Sequence, residues 1–279
     1  MSLLASTREG IGRVEGDELV LLNIRFTDLG QALQAGLDLA ELQTVPERRR
    51  IPLGQARLLA TIPRPSKIWA VGFAYADHRA EVGYTAEVDD PVIFFKAPSS
   101  VTATHTPILL PPVAPDKVDY EGELAVVIGA RAVGIDAQHA MAAIAGFTIC
   151  NDVSARDVQK GLLPGRAADV STAKSFDTFT PMGPWLATLD EFRDPADLRL
   201  RTWVDGELRQ DASTAQLIYS IPNLIAYLSH QTTLEPGDVI LTGTPAGVGH
   251  KQGKFLRPGS QVRIEVEGIG VLENTCAGS

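Results

Sequence analysis

The stretch Asp119-Tyr120-Glu121-Gly122-Glu123-Leu124-Ala125-Val126-Val127-Ile128-Gly129 decides how the rest of the chain is read. Taken as a β-strand, its period of two sets Glu121 and Glu123 on one face and Leu124, Val126 and Ile128 on the other. The apolar run predicts a strand in a buried sheet. Two carboxylates held side by side repel one another, and a divalent cation between them is a natural remedy. A solvated strand end accounts for the same pair without an ion.

Composition narrows the setting. With 279 residues, 44% hydrophobic, the chain can bury a large core, which excludes a disordered or fibrous protein. Its net charge of −9, with no basic run longer than Arg48-Arg49-Arg50, argues against a surface that neutralises phosphates, so nucleic acid is not an expected partner. Cys150 and Cys276 are too few for a disulfide framework or a thiolate zinc site. The opening MSLLASTREG has no apolar signal core. The longest apolar stretches, such as Leu124 to Ile128 and Ile221 to Leu228, fall short of the roughly 20 residues that span a bilayer. A cytoplasmic protein with no membrane partner is expected.

Outward from the acidic strand, the pattern is rich in strands and poor in helices. Strands are predicted at Ile68–Val71, Pro91–Phe95, Leu124–Ile128, Phe147–Cys150, Leu200–Val204, Asp238–Leu241 and Gln261–Val266. Hairpin turns are expected at Glu15-Gly16-Asp17, at Asp205-Gly206 and near Gly268. Helices are expected over Asp28–Leu42, Ala76–Val82, Asp136–Ile144 and Val153–Lys160, with one more opening at Pro222. The TIPRPSK segment marks a boundary near Ile62.

Three further segments carry candidate chemistry. In Ile149-Cys150-Asn151-Asp152-Val153-Ser154-Ala155-Arg156-Asp157-Val158-Gln159, helical spacing would place Asp152, Arg156 and Gln159 on one face. Such a face offers a carboxylate, a guanidinium fork and an amide to one pocket, which suits an anionic, oxygen-rich substrate. Asp152 also fits a plain helix N-cap. In Val71 to Gly83, His78 and Glu81 stand three apart on a short helix, so the carboxylate can orient the imidazole for general-base work; a surface ion pair is the plainer account. Finally, Lys174 in AKSFDTFTPMGP reads alone as a solvated side chain. The loop Leu241-Thr242-Gly243-Thr244-Pro245-Ala246-Gly247-Val248-Gly249 matches no phosphate-loop or dinucleotide fingerprint and reads as a backbone-rich anion clamp.

In order and combination, G-F-A-Y-A-D-H-R-A-E-V-G, D-Y-E-G-E-L-A-V-V-I-G, N-D-V-S-A-R-D, K-S-F-D-T-F-T-P-M-G-P and G-T-P-A-G-V-G resemble the fumarylacetoacetate hydrolase family over about residues 64 to 275. The resemblance implies an α+β, largely β fold: a mixed β-sheet roll with short helices over residues 63–279, preceded by a small N-terminal α/β domain over residues 1–62. It also implies a homodimer and a Mg²⁺ ion, with Mn²⁺ or Ca²⁺ as substitutes, held by Glu121, Glu123 and Asp152. Arg156, Gln159 and Thr244 become substrate-binding residues, Lys174 a catalytic cation, and His78 with Glu81 the base dyad on a lid helix. One departure stands out. The founding hydrolases carry an additional metal-binding aspartate upstream of the histidine, whereas here the nearest acid, Asp77, directly precedes His78 and is not assigned to metal. The pattern is closer to the acylpyruvate hydrolase and oxaloacetate decarboxylase branch.

The function implied is metal-dependent hydrolytic cleavage of a carbon–carbon bond in a small anionic 2,4-dioxo acid, such as an acylpyruvate or fumarylpyruvate, through a metal-stabilised pyruvate enolate. Oxaloacetate decarboxylation or 2-hydroxy-dienoate isomerisation on the same site are the alternatives. A non-catalytic binding protein is the reading from another class. The walls that select the acyl group are expected from loops such as 87–91 and 161–168.

Overall fold

The structure, a computed structural model, describes residues 3–86, 89–192 and 194–278. Glu87 and Val88, part of the loop expected to wall the pocket, lie outside the described residues. Among those described, the larger sheet has eleven strands. Its order runs Glu47–Pro52, Glu18–Leu22, Gly10–Glu15, Leu3–Thr7, Thr180–Ala187, Ile144–Asn151, Gly122–Ile128, Val239–Leu241, Ile68–Gly72 and Val92–Lys96, with Val101–Thr102 paired alongside Thr180–Ala187. A second sheet of five strands runs Glu207–Ser213, Arg199–Val204, Gln261–Val266, Gly270–Gly278 and Ile108–Leu110. Parallel pairs occur in both, so the sheets are mixed.

The decisive strand forms over Gly122–Ile128 and is buried along its whole length. Leu124, Val126 and Ile128 pack into the core shared with Leu200, Ile264 and Leu272 of the second sheet. Ala125 and Val127, on the face of Glu123, pack instead against Leu4, Ile11, Leu29 and Leu33. Residues up to 62 thus cover the opposite face of this sheet. They are hydrogen-bonded to it, because Leu3 and Leu4 pair with Ala187 and Leu186.

All seven predicted strands form, with ends shifted by at most three residues. The strand Thr180–Ala187 was not expected, since Pro181 and Pro184 remove ladder donors and argue against an interior strand. It joins the N-terminal strands to Ile144–Asn151, and its register with the latter shifts between Phe147 and Ile149.

Three helix expectations need correction. The helix from Asp28 runs only over Leu29–Gln34; Asp28 caps it as expected, but Asp38 accepts from the N–H of Ala40 and starts a separate 3-10 turn over Leu39–Gln43. Asp136–Ile144 divides into Ala137–Ala140 and a 3-10 turn, Met141–Ala143. Val153–Lys160 shortens to Arg156–Gln159, because Ser154 and Ala155 first pair as strand with Val118–Asp119. Ala155 is therefore the cap residue, and Asp152 is not a helix N-cap. The helices Ala76–Val82 and Ile221–Gln231 form as read, the second capped by Ser220 with Pro222 in its first turn.

Candidate metal and oxo-acid site

Register brings the acids together. Gly122 pairs with Asn151 across the two central strands, and the next residue outward, Asp152, donates its N–H to the Glu121 carbonyl at 2.8 Å. The Asn151 side chain accepts from the Glu121 N–H at 3.0 Å, which locks this corner. Asp152 thus reaches Glu121 through strand pairing and not through helical periodicity. Gly122 is glycine for want of room: a Cβ there would lie 2.2 Å from the Thr202 hydroxyl of the second sheet.

Glu121, Glu123 and Asp152 are all buried, and one oxygen from each lies within 4.8 Å of the others. Lys174 Nζ bridges two of them, at 2.7 Å from Glu121 and 2.5 Å from Asp152. The Arg156 guanidinium reaches Glu121 at 2.6 Å and Asp119 at 2.8 Å, and donates to Gln159 Oε1 at 3.0 Å. Lys174 is therefore a buried cation of the cluster and not a solvated side chain.

Two charged residues were missed in the sequence. Lys96, fully buried at the end of Val92–Lys96, donates to Asp152 Oδ1 at 2.6 Å and to the carbonyls of Lys174 and Phe179 at 2.5 and 3.1 Å. Its only sequence signal is a lysine two positions after Phe94, and so on one strand face with a residue that lines the cavity. Asp119 receives the Arg156 guanidinium and the main-chain N–H groups of Gly249 and His250.

Three cations, Lys96, Lys174 and Arg156, therefore face four carboxylates, and one negative charge is left over. Glu123 carries the surplus. Among the described residues no lysine or arginine pairs with it, and its one hydrogen bond comes from the Gly243 N–H at 2.7 Å. Burial, then repulsion from Asp152 and Glu121, pushes its carboxyl well above the usual range. Glu121 goes the other way: against its burial, Lys174 and Arg156 hold it well below that range. Burial depresses Lys96, whereas in Lys174 the attraction of Asp152 and Glu121 overcomes the same burial and raises it.

A hard divalent cation fits this donor set. All three ligands are carboxylate oxygens, as Mg²⁺, Mn²⁺ and Ca²⁺ prefer, and the least compensated of them is a buried glutamate. Two added charges would turn the surplus into one positive charge.

The cluster opens on a cavity of about 360 Å³. Glu121, Arg156, Gln159, Lys174 and Thr244 reach its wall, and Phe73, Tyr84, Val92 and Phe94 make an apolar side. Of the three acids only Glu121 lines it. Larger clefts of about 390, 470, 590 and 600 Å³ exist elsewhere; of the charged cluster only Lys96 lines one of them, that of about 390 Å³.

His78 lines the same cavity from the helix Ala76–Val82. Its Nδ1 lies 3.2 Å from Glu81 Oε2, and Glu81 Oε1 accepts the Gly247 N–H at 3.0 Å. Burial raises the Glu81 carboxyl, but the bonds from His78 and Gly247 outweigh it and leave the group below its ordinary range. The pair is thus a fixed dyad, with the imidazole nearly buried, and not a loose surface ion pair.

The glycine loop holds the dyad and part of the wall. The Thr244 hydroxyl donates to the Gly122 carbonyl and accepts from Gln210, a buried residue that sequence reading missed; its Oε1 takes the Gly122 N–H. Gly247 sits at φ +107°, and a Cβ there would lie 1.9 Å from the Arg209 carbonyl. We expect Gly247→Ala to destabilise the fold by about 2–4 kcal/mol, by strain and overlap, and to loosen Glu81. An unfolding midpoint unchanged from wild type would contradict this.

The family model described as fumarylacetoacetate (FAA) hydrolase C-terminal matches residues 67–277. The chain belongs to the fumarylacetoacetate hydrolase family. A relative from Bos taurus named mitochondrial oxaloacetate tautomerase FAHD2B is 41% identical over 253 residues, which cover 90% of this chain and 78% of that protein. A solved structure of a putative HpcE protein from Mycobacterium smegmatis superposes with a TM-score of 0.88 at 36% identity, covering all of both chains. Maleylpyruvate hydrolase from Sphingobium sp. SYK-6, solved with manganese(II) and pyruvate, superposes at 0.79 with 30% identity, again over all of both chains. The largely β, mixed-sheet fold is that of the fumarylacetoacetate hydrolase family. Among the described residues no helix is long and apolar enough to cross a membrane.

Proposed function

We propose that this enzyme binds the carboxylate and 2-oxo group of a small oxo acid and turns it over through its enolate. The carrying observation is that the His78–Glu81 dyad and the Lys174–Arg156–Gln159 cluster open on one cavity. Keto–enol proton transfer on an oxaloacetate-like acid is the reading closest to the Bos taurus relative. Hydrolytic cleavage of a 2,4-dioxo acid is the second reading. A dyad that can take a proton from carbon can also take one from water, and the maleylpyruvate hydrolase shares the fold.

Glu121, Glu123 and Asp152 would hold Mg²⁺, with Mn²⁺ or Ca²⁺ as substitutes; the bound ion supplies Lewis-acid polarisation of the substrate oxygens. Arg156, whose three nitrogens already donate to Asp119, Gln159 and Glu121, lends the carboxylate a fixed positive charge, and Gln159, already accepting from Arg156, keeps its amide N–H₂ for a substrate oxygen. The Thr244 hydroxyl proton is committed to Gly122, so substrate contact falls to its main-chain N–H. Lys174 stabilises the developing oxyanion. The Glu81 bond at Nδ1 leaves the other ring nitrogen of His78 to accept the proton. Residues 1–62 serve as a buttress and supply no catalytic group. A cytoplasmic homodimer working on products of aromatic catabolism goes with this reading; a monomeric mass in sedimentation would count against the dimer.

The test is a metal-loaded assay on enol-oxaloacetate and on a panel of acylpyruvates. Wild type should turn over at least one class, and Glu81→Gln should lower kcat about a hundredfold while shifting KM little. Inactivity on every member of both classes would sink the proposal.

A further inference from the structure

Four non-glycine residues among those described sit at positive φ, and only one of them, Phe73 at φ +55°, lines the cavity. A bulky side chain in the left-handed region is strained, and the surroundings must hold it there. Arg79 supplies that hold: its Nε donates to the Phe73 carbonyl at 2.7 Å. In this position the Phe73 ring stacks on Tyr84, with centroids 4.2 Å apart and planes at 17°, and stands 6.2 Å from the His78 imidazole at 19°.

The same guanidinium makes further contacts. Arg79 follows His78 on the helix Ala76–Val82, about 100° further round it, and does not itself line the cavity. It lies over the Tyr84 ring at 5.6 Å and the Tyr219 ring at 5.8 Å, and its Nη2 donates to the Tyr219 hydroxyl at 3.0 Å. That hydroxyl donates in turn to the Asp90 carbonyl at 3.0 Å. Tyr219 stands on a fixed segment, because the Ile218 N–H donates to the Ala74 carbonyl at 2.8 Å and Leu217 pairs with Tyr75. Among the described residues no carboxylate pairs with Arg79; its hydrogen-bond partners are a carbonyl and a hydroxyl. Two aromatic faces and two oxygens at different nitrogens call for a planar, forked cation, which a lysine ammonium is not.

We propose that Arg79 is a positioning residue for the His78–Glu81 dyad. It ties the dyad helix, the Phe73–Tyr84 wall and Tyr219 into one unit, so that the imidazole keeps its place against the wall although neither Arg79 nor Tyr219 lines the cavity. The inference rests on the oxo-acid reading above, in which the dyad moves the proton. Small displacements of such a group are costly, up to about a hundredfold in rate for roughly 1 Å.

Hydrogen exchange and kinetics of the Mg²⁺-loaded protein test this with Arg79→Met, Arg79→Lys and Tyr219→Phe. In Arg79→Met the amides of residues 76–84 should exchange roughly tenfold faster, the loss expected for one hydrogen bond from a charged group, while those of Ile221–Gln231 and of the central strands hold. Its kcat on the acid that wild type turns over should fall on the order of ten- to a hundredfold. Arg79→Lys keeps the charge without the fork and should restore neither property; Tyr219→Phe removes one hydroxyl and should show a smaller effect of the same kind. Because Arg79 acts through the dyad, adding Arg79→Met to Glu81→Gln should cost little further kcat. Exchange unchanged over residues 76–84, exchange accelerated over the whole chain, full rescue by lysine, or losses that add to those of Glu81→Gln would each overturn the positioning role while leaving the oxo-acid reading intact. A wild type inactive on both classes of acid defeats that reading, and the positioning role with it.

Discussion

Replacing Glu123 with glutamine is expected to abolish Mg²⁺ binding and to make the metal-free protein more stable. Both effects come from one feature: Glu123 is a buried carboxylate with two like-charged neighbours, Asp152 and Glu121, and no cation in direct contact. A glutamine of the same shape keeps an oxygen for the Gly243 N–H and removes the repulsion, for a gain of about 1–2 kcal/mol near neutral pH. The sign follows from linkage. Burial and its neighbours raise the folded pKa of Glu123 above the unfolded value. Above the ordinary carboxylate range the unfolded chain gives up this proton while the folded one retains it. The contribution of Glu123 to stability is therefore full at acid pH and declines as pH rises toward the folded pKa. The advantage of the glutamine variant should accordingly grow with pH in the presence of a chelator. Saturating Mg²⁺ reverses the order: wild type gains stability by mass action, and the variant, having lost a ligand, does not. The affinity loss should exceed the roughly 10–100-fold caused by outer-shell changes alone. Denaturant unfolding with chelator and with Mg²⁺, together with calorimetric titration, checks both halves. A wild type that does not respond to Mg²⁺, or a variant less stable than wild type without metal, would falsify the assignment.

How far the sequence could be read depended on the range of the interactions. The Gly122–Ile128 strand was legible because its two-residue period shows in the chain itself, and both faces pack as that period requires. The dyad was legible for the same reason, since three residues on a helix bring His78 and Glu81 together without help from elsewhere. Asp152 was grouped with Glu121 and Glu123 through the family resemblance alone; the three acids lie close together, yet the helical spacing used to relate Asp152 to Arg156 does not exist, because Ser154 and Ala155 pair as strand. What failed was whatever depended on distant partners. Nothing local marks Lys96 as the counter-ion of a residue 56 positions away, or Gln210 as the anchor of the Thr244 loop. Thr180–Ala187 was hidden because its prolines look like loop residues when the neighbouring strands are unknown.

Lys96→Met is expected to be the most destabilising single change at the site, by about 3 kcal/mol, the cost of removing one of the two cations that hold the buried Asp152 carboxylate, with Lys174 left as the other. The Lys96 ammonium is sealed from solvent and makes three bonds, to Asp152 Oδ1 and to the carbonyls of Lys174 and Phe179. Methionine matches its length and apolar stem but takes a donor from Asp152 Oδ1 and from the Lys174 carbonyl, while the Phe179 carbonyl keeps the Val153 N–H, and the metal-free cluster then holds two cations against four carboxylates. Lys174, which already bridges Asp152 and Glu121, cannot take over the lost bonds, because the carbonyl that Lys96 binds is its own. Arginine would not rescue the site, since a planar fork does not fit where a compact ammonium meets three converging oxygens. A double-mutant cycle separates the ion pair from the packing. If the penalty arises from the Asp152 carboxylate, Asp152→Asn should cost much less in the Lys96→Met background than in wild type. Additive losses would mean that the two residues act independently. Lys96 also fixes the orientation of Asp152 from behind, so variants that remain folded should bind Mg²⁺ roughly 10–100-fold more weakly, although Lys96 never touches the ion. An unchanged urea midpoint in Lys96→Met, with no change in slope, would remove Lys96 from the charge balance altogether.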